Sequence, residues 1–479
     1  MHERRTKIVA TLGPATDAPG ALDDIVQAGV DVVRLNMSHG AREEHRARIE
    51  ELRAAAARQG RAVGVLCDLQ GPKIRIAGFR DGPVNLETGA SFFIDPSLGE
   101  ADGSVAGVGI GYAGLPGDVS AGDVLLLNDG LIRLQVERVE GSRIHTRVEE
   151  GGRLSDRKGV NRLGGGLALG ALTDRDREDL AFAAGLGIDY LAVSFPRNAD
   201  DLREARSLLE AAGGGDAGIV AKVERREALD VLPEIMEAAD AVMIARGDLA
   251  VEIGDARLPG VQKRIMRLAR ERDCVVITAT QMMQSMVESP TPTRAEVLDV
   301  ANAVLDGTDA VMLSEETAAG RHPSVAVAAM ARVCIGAEDY ADEVPAYRLD
   351  ALPHYERIDE TIAKVAIDAA NRLGAAAIAA LTESGATVMW MSRIGTDIPV
   401  YALSEQPRTR GRVTLFRGVW PVEFDSRGRD PGQVSRDAVA ELRQLGAVGP
   451  GDRVLVTKGD QQGVRGGTNT LKIVEVPEG

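Results

Sequence analysis

Eight short apolar runs constrain this chain more than any other feature: KIVATLG (7–13), DVVRLN (31–36), AVGVLCDL (62–69), YLAVSF (190–195), GIVAKVE (218–224), AVMIARGD (241–248), CVVITAT (274–280) and AVMLSEE (310–316). Six of them stop at polar or charged residues: Arg34 and Asn36, Asp68, Lys222 and Glu224, Asp248, Thr280, Glu316. A parallel strand covered by helices on both faces leaves no solvated side, so it reads as a continuous Val/Ile/Ala/Leu run and its chemistry is pushed to the strand ends. Most of the intervals are helix-length, with apolar residues spaced at three and four. The pattern predicts a (β/α)8 TIM barrel, in which the C-terminal ends of all the strands open on one face and side chains distant in sequence converge.

Between the third and fourth runs the alternation stops for far longer than an ordinary connection. From Ile74 to Gly166, alternating segments such as DVLLLNDGLIRLQVERV and SRIHTRVEE are punctuated by Gly, Asp-Gly and Pro. They predict an inserted small β-barrel lid, hinged at the catalytic face and able to exclude water on closing. The expected organisation is therefore a discontinuous barrel (1–73 and 167–340), the lid (74–166), a polar linker (341–357) and a C-terminal open-sheet α/β domain (358–479). The last rests on helical stretches alternating with AAAIAALT, PVYALS and DRVLVTK.

A formal charge of −16 and a pI near 5.0 argue against nucleic acid or an anionic membrane as partner. Three cysteines without paired spacing fit a reduced compartment. No run approaches the length of a membrane span, and the expected location is the cytoplasm. Of the 56 basic residues only eight are lysine. Arginine is thus the default cation, and lysine marks places that need a compact point charge; Lys73, Lys158 and Lys222 all fall in motifs.

AKVERRE places Lys222 and Glu224 on one face of a strand, and ARGDLAVE adds Asp248. Two carboxylates with positions left for water and substrate oxygens suit Mg²⁺; the alternative is a structural Lys222–Glu224 ion pair with Asp248 capping a helix. In RLNMSHG an arginine fork beside Asn36 and Ser38 suits a phosphoryl group. His39 reads more readily as a capping or satisfied histidine than as a base. CDLQGPKIR supplies Asp68, then Lys73 and Arg75 at the mouth of the insert. Thr280 offers a hydroxyl that could relay a proton, though threonine is ordinary at strand ends. PTPTRAEV reads as a capping box of Thr293 and Glu296. In the last domain, TESGAT (Thr382, Glu383, Ser384, Gly385, Ala386, Thr387) precedes a helix and either aims hydroxyls and N–H groups at an anion or merely caps. No Walker A pattern or HExxH occurs.

Taken in order, VRLNMSHG, CDLQGPKIR, RKGVN, AKVE, ARGDLAVE, TATQMM, PTRAE and AVMLSEETAAG resemble pyruvate kinase across essentially the whole chain. The resemblance implies transfer of the phosphoryl group of phosphoenolpyruvate to ADP, giving pyruvate and ATP. It implies that Glu224 and Asp248 bind Mg²⁺ or Mn²⁺, and that Lys222 stabilises the phosphoryl group in flight while Arg34 holds it. Backbone N–H groups around Arg246, Gly247 and Asp248 would take the substrate carboxylate, and Thr280 would help protonate the enolate. Asn36, His39, Arg75 and Lys158 would meet the nucleotide.

Many members of that family need K⁺, at positions matching Asn36, Ser38, Asp68 and the Leu69 carbonyl, and those members usually carry Glu where this chain has Lys73. The expectation is that the Lys73 ammonium takes the place of the monovalent cation and K⁺ is not required. TESGAT and TKGDQQGVRGGTN (457–469) resemble the family's effector pocket; the carboxylate of Glu383 favours a monophosphate (AMP, ribose 5-phosphate or glucose 6-phosphate) over fructose 1,6-bisphosphate. A homotetramer follows by resemblance. Two other readings stand beside this one: a Mg²⁺-dependent lyase or aldolase acting on a pyruvate enolate, indifferent to ADP, and a non-catalytic metabolite sensor that would not need intact Lys222, Glu224, Asp248 and Thr280.

Overall fold

The computed structural model describes residues 4–343, 357–460 and 466–478. Most of the expected linker, and the middle of the second effector loop (461–465), lie outside the described residues. The eight apolar runs become β1 (Lys7–Thr11), β2 (Val32–Asn36), β3 (Gly64–Asp68), β4 (Tyr190–Val193), β5 (Gly218–Val223), β6 (Ala241–Ala245), β7 (Val275–Ala279) and β8 (Ala310–Leu313). All pair in parallel and close in the order β1-β8-β7-β6-β5-β4-β3-β2.

All of these strands except β2 stop short of the C-terminal ends of the apolar runs. After β6 the backbone turns into a helix at once, so Arg246, Gly247 and Asp248 lie in the first turn of Arg246–Ile253 rather than on the strand. That position suits the acid, because the N-terminal end of a helix favours negative charge. After β7 and β4 the chain leaves extended geometry at Thr280 (φ 70°) and Phe195 (φ 56°). Thr293 and Glu296 form the expected capping box at the start of Arg294–Leu305.

The insert between β3 and β4 holds a six-stranded sheet in the order 160–162, 124–127, 132–140, 143–150, 91–94, 107–108, and a two-stranded pair, Val84–Leu86 with Gly152–Leu154. Its alternating segments work as read: in Ile132–Glu140 the residues Ile132, Leu134 and Val136 are buried in a core of their own while Gln135 is exposed. Asn128, Asp129 and Gly130 (φ 53°, 56° and 88°) make the tight return between Val124–Leu127 and Ile132–Glu140; Asn, Asp and Gly tolerate that left-handed geometry. At its root the insert runs against the barrel exit, with Ile76 N–H on the Lys158 carbonyl and Val160 N–H on the Ile74 carbonyl, both at 3.0 Å.

The C-terminal sheet comprises β9 (Ala377–Leu381), β10 (Val400–Ser404), β11 (Val419–Glu423), β12 (Arg453–Gly459) and β13 (Thr468–Glu475), in the order β11-β10-β9-β12-β13 with only β13 antiparallel. This sheet docks on the N-terminal end of the barrel, opposite the rim. Lys7 Nζ donates to the Val419 carbonyl at 2.6 Å, Tyr190 Oη to the Arg412 carbonyl at 2.6 Å, and Arg393 clamps the buried Asp309, Nη1 to Oδ2 at 2.8 Å. A side-chain carbon at Gly64 would strike Thr414, and one at Gly411 would strike Asp189, so two glycines permit the close approach. The apolar core is continuous through the floor, joining Val32, Leu66 and Val275 to Met391, Leu415 and Phe416.

Asp189 lies at this junction, accepting the Val65 N–H at 2.8 Å. Burial pushes its carboxyl up to about 7, against the pull of that N–H, Arg53 and Arg408. The unfolded chain ionises the same group near about 3.9, so its contribution favours the folded state at low pH and is lost as pH rises through 7. Asp189→Asn keeps an acceptor for Val65 and removes the charge. The variant is expected to melt at a higher temperature than the parent at pH 8, with the advantage shrinking steadily as pH falls from about 7 toward about 4, followed by thermal scans across that range.

Candidate active site

At the rim, Asp68 ends β3 and is 1% exposed. Two cations reach it: Arg34 Nε donates to Oδ2 at 2.6 Å, and Lys222 Nζ lies 3.2 Å from Oδ1. Burial pushes the Asp68 carboxyl up, but Lys222 and Arg34 outweigh it and hold the group below the ordinary carboxylate range. Arg34 is fixed from its other side by Nη1 donating to Thr11 Oγ1 at 3.1 Å.

Lys222 projects from the end of β5 with three acceptors around its ammonium: Ser194 Oγ at 2.6 Å, Glu224 Oε1 at 2.9 Å and Asp68. Burial works against its charge, yet the two carboxylates prevail and raise its pKa. Glu224 takes the Phe195 N–H on Oε2 at 2.8 Å. Its carboxyl is pushed up, first by burial and then by the repulsion of Asp248, with Lys222 pulling the other way. Glu224 and Asp248 are therefore near enough to repel, and Lys73 Nζ sits 3.0 Å from Asp248 Oδ1.

Across the rim, Thr280 Oγ1 donates to the Ala279 carbonyl at 2.6 Å and accepts the Gly247 N–H at 3.1 Å. Arg246 turns away from the first turn of its helix and bridges the Thr280 carbonyl (2.7 Å) and Asp299 (2.8 Å). Glu316 accepts the N–H groups of Met283 (3.1 Å) and Ser314 (2.7 Å), which makes it a brace for the loop after β7.

The structure thus brings Arg34, Asp68, Lys73, Lys222, Glu224, Asp248, Gly247 and Thr280 to one face. Arg75 and Lys158 lie on paired segments at the root of the insert; Arg75 donates to the Arg157 carbonyl at 2.9 Å. His39 is exposed at the edge, its carbonyl taking a hydrogen bond from the buried His45 ring at 2.9 Å.

One expectation is corrected. The Lys73 ammonium does not stand among Asn36, Ser38, Asp68 and Leu69. Gly71 (φ 70°) and the Lys73 N–H on the Gly71 carbonyl (2.9 Å) form a tight turn, and the side chain pairs with Asp248 instead. The other four residues are engaged elsewhere: Asn36 Oδ1 takes the Ser38 N–H (3.1 Å), the Leu69 carbonyl takes Ser194 Oγ (2.7 Å), and Asp68 holds its two cations. Sequence reading passed over Ser194, Phe195 and Thr11, although Ser194-Phe195 closes an apolar run as Lys222 and Thr280 do.

In the C-terminal domain Thr382, Glu383, Ser384, Ala386 and Thr387 line one cleft, together with Lys458. Gly385 (φ 81°) turns the chain into the helix Ala386–Ile394, and its N–H donates to Thr382 Oγ1 at 2.9 Å. The buried Thr387 hydroxyl shares a hydrogen bond with Thr468 Oγ1 at 2.7 Å.

Among the described residues no group of three or more His, Cys, Asp or Glu could hold a metal ion, and no helix is long and apolar enough to cross a membrane. A closed parallel barrel that gathers charged side chains from several strand ends on one face, beside an inserted β unit, has the layout of a barrel enzyme's active site. Residues 3–327 match the family model described as pyruvate kinase, barrel domain, and residues 360–474 the one described as pyruvate kinase, alpha/beta domain. The chain is 52% identical over 478 residues to pyruvate kinase II of Salmonella typhimurium, with 99% of each chain covered. It is 48% identical to a pyruvate kinase of Haemophilus influenzae (98% of this chain, 99% of the relative) and 40% identical to one of Mycobacterium tuberculosis (99% of each). The chain belongs to the pyruvate kinase family.

Replacing Asp68 by Asn leaves two buried cations with a neutral partner, and breaking a buried ion pair in this way costs roughly 3–5 kcal/mol. Asp68→Asn is expected to lose about that much stability at pH 7 in urea unfolding. Because the parent's carboxyl is held low, its contribution fades as pH falls, and the gap between the two proteins should narrow toward pH 3.

Proposed function

We propose that this chain is a pyruvate kinase that transfers the phosphoryl group of phosphoenolpyruvate to ADP, giving pyruvate and ATP. The observation that carries the reading is Lys222, whose partly buried ammonium stands between Asp68 and Glu224 at the barrel mouth. Phosphoryl transfer asks a protein for positioning and charge neutralisation more than for covalent chemistry.

The donor set fits Mg²⁺ or Mn²⁺. Glu224 and Asp248 are two carboxylates close enough to repel, and Mg²⁺ typically takes one or two protein carboxylates together with substrate oxygens. When bound, the ion would neutralise these acids and polarise the oxygens of the transferring group. Arg34, held by Asp68, presents a guanidinium face to the phosphoryl group. Lys222 neutralises charge that develops on it during transfer. The N–H groups at the start of Arg246–Ile253 receive the substrate carboxylate, favoured by the positive end of the helix. Thr280, whose hydroxyl reaches Gly247, takes part in delivering a proton to the enolate carbon. Asn36, His39, Arg75 and Lys158 meet the nucleotide, and the insert (74–166), hinged between barrel segments 1–73 and 167–340, shields the reaction from water.

We read Lys73 as the reason K⁺ is not required. Its charge is delivered through Asp248 instead of through the Asn36 and Leu69 site, so the carboxylate cluster has an internal monovalent cation. Regulation is assigned to the cleft around 382–387, with the carboxylate of Glu383 selecting a phosphomonoester such as AMP, ribose 5-phosphate or glucose 6-phosphate. A cytoplasmic homotetramer completes the reading.

Pyruvate formation from phosphoenolpyruvate and ADP with Mg²⁺ is expected at equal rates with and without K⁺, and Lys73→Glu is expected to make the rate K⁺-dependent. Pyruvate formed without ADP would favour a lyase, and a Lys73→Glu enzyme still indifferent to K⁺ would remove the role given to Lys73. For the effector, saturation curves for phosphoenolpyruvate are expected to shift with at least one of the three monophosphates. A response to fructose 1,6-bisphosphate alone would overturn that assignment.

A further inference from the structure

We propose that Ser194 is a positioning residue for Lys222, an inference that rests on the phosphotransfer reading above. Ser194 follows β4 and is 1% exposed. Its Oγ lies 2.7 Å from the Leu69 carbonyl and 2.6 Å from Lys222 Nζ. A carbonyl can only accept, so the single hydroxyl proton goes to Leu69, and a lone pair is left facing the ammonium. Asp68 Oδ1, at 3.4 Å, then receives no proton from this hydroxyl.

Of the three acceptors around Lys222, Ser194 is the neutral one. The carboxylates of Asp68 and Glu224 attract a cation from a wide range of approaches, whereas a lone pair pinned by its own donated bond fixes a direction. The backbone is arranged around the same purpose. Phe195, the next residue, holds a left-handed φ of 56° and aims its N–H at Glu224 Oε2, 2.8 Å away. Phenylalanine rarely adopts that geometry, and such strain persists where the surroundings over-determine it. Two successive residues after β4 therefore set both partners of the pair at the end of β5, the lysine through a side chain and the glutamate just beyond the strand through the backbone. The Leu69 N–H on the Ala192 carbonyl, at 3.0 Å, ties this segment to the end of β3.

The test uses the full chain and three variants. Ser194→Ala removes the hydroxyl, Ser194→Cys keeps the volume with a much weaker acceptor, and Ser194→Thr keeps the hydroxyl. Each is checked by its thermal melt and then by kcat and KM for phosphoenolpyruvate. The expected result is a kcat lowered roughly 10- to 100-fold in the Ala and Cys variants, as misplacement of a catalytic group produces. KM should stay within about threefold of the parent, since the lost interaction acts on the transition state. The Thr variant is expected to recover most of kcat. A folded Cys or Ala variant with parental kcat, or a Thr variant as slow as Ala, overturns the role of Ser194. A parent chain that forms no pyruvate overturns the kinase reading itself, and this inference with it.

Discussion

A carboxylate sealed from water between two cations sets the geometry on which the rim depends. Asp68 alone would be pushed toward its neutral form by burial; Arg34 and Lys222 reverse that, and Asp68 and Glu224 in turn keep Lys222 charged. The three side chains come from β2, β3 and β5, so closure of the barrel and assembly of the charge network are one event. One run of contacts across the face builds on this: Lys222 organises Glu224, Glu224 feels Asp248, and Asp248 engages Lys73.

The cost of such an arrangement is carried by the scaffold. Charges buried this deeply persist only with full hydrogen bonding, and the loop after β4 supplies part of it, with the left-handed Phe195 giving its N–H to Glu224 and Ser194 its hydroxyl oxygen to Lys222; Thr280, the tight turn at Gly71 and the abrupt helix start after β6 are the rim's other departures from regular backbone. Because these features sit where strands end, the apolar staves of the barrel stay regular. The floor is specialised differently, for contact with the C-terminal sheet.

The barrel, the insert and the open sheet were legible because each rests on a repeating period: continuous apolar runs for parallel strands, alternation for the half-exposed strands of the insert. β11 escaped notice because VWPVE carries a proline at the sheet's edge, where the loss of an N–H is tolerated and the strand signal is weak. Asp68, Lys222, Glu224 and Asp248 stood out as charges interrupting apolar runs. Ser194 did not, since a serine after YLAV looks like the ordinary end of a strand, and only the approach of Leu69 and Lys222 reveals its use. The direction taken by Lys73 was likewise unreadable. A flexible four-carbon stem can reach several acceptors, and which one it meets depends on the turn at Gly71 and the helix across the rim.

The shared core beneath the barrel has a consequence for how this protein could be divided or shortened. Leu66 and Val275 end in a hydrophobic layer completed by Met391, Leu415 and Phe416, and Gly64 is pared to a bare backbone to let that layer close. The C-terminal unit is the barrel's missing base plate. Severing the chain before it would leave the staves with an open, oily underside, so recombination among relatives at that seam would have to exchange both surfaces of the joint together.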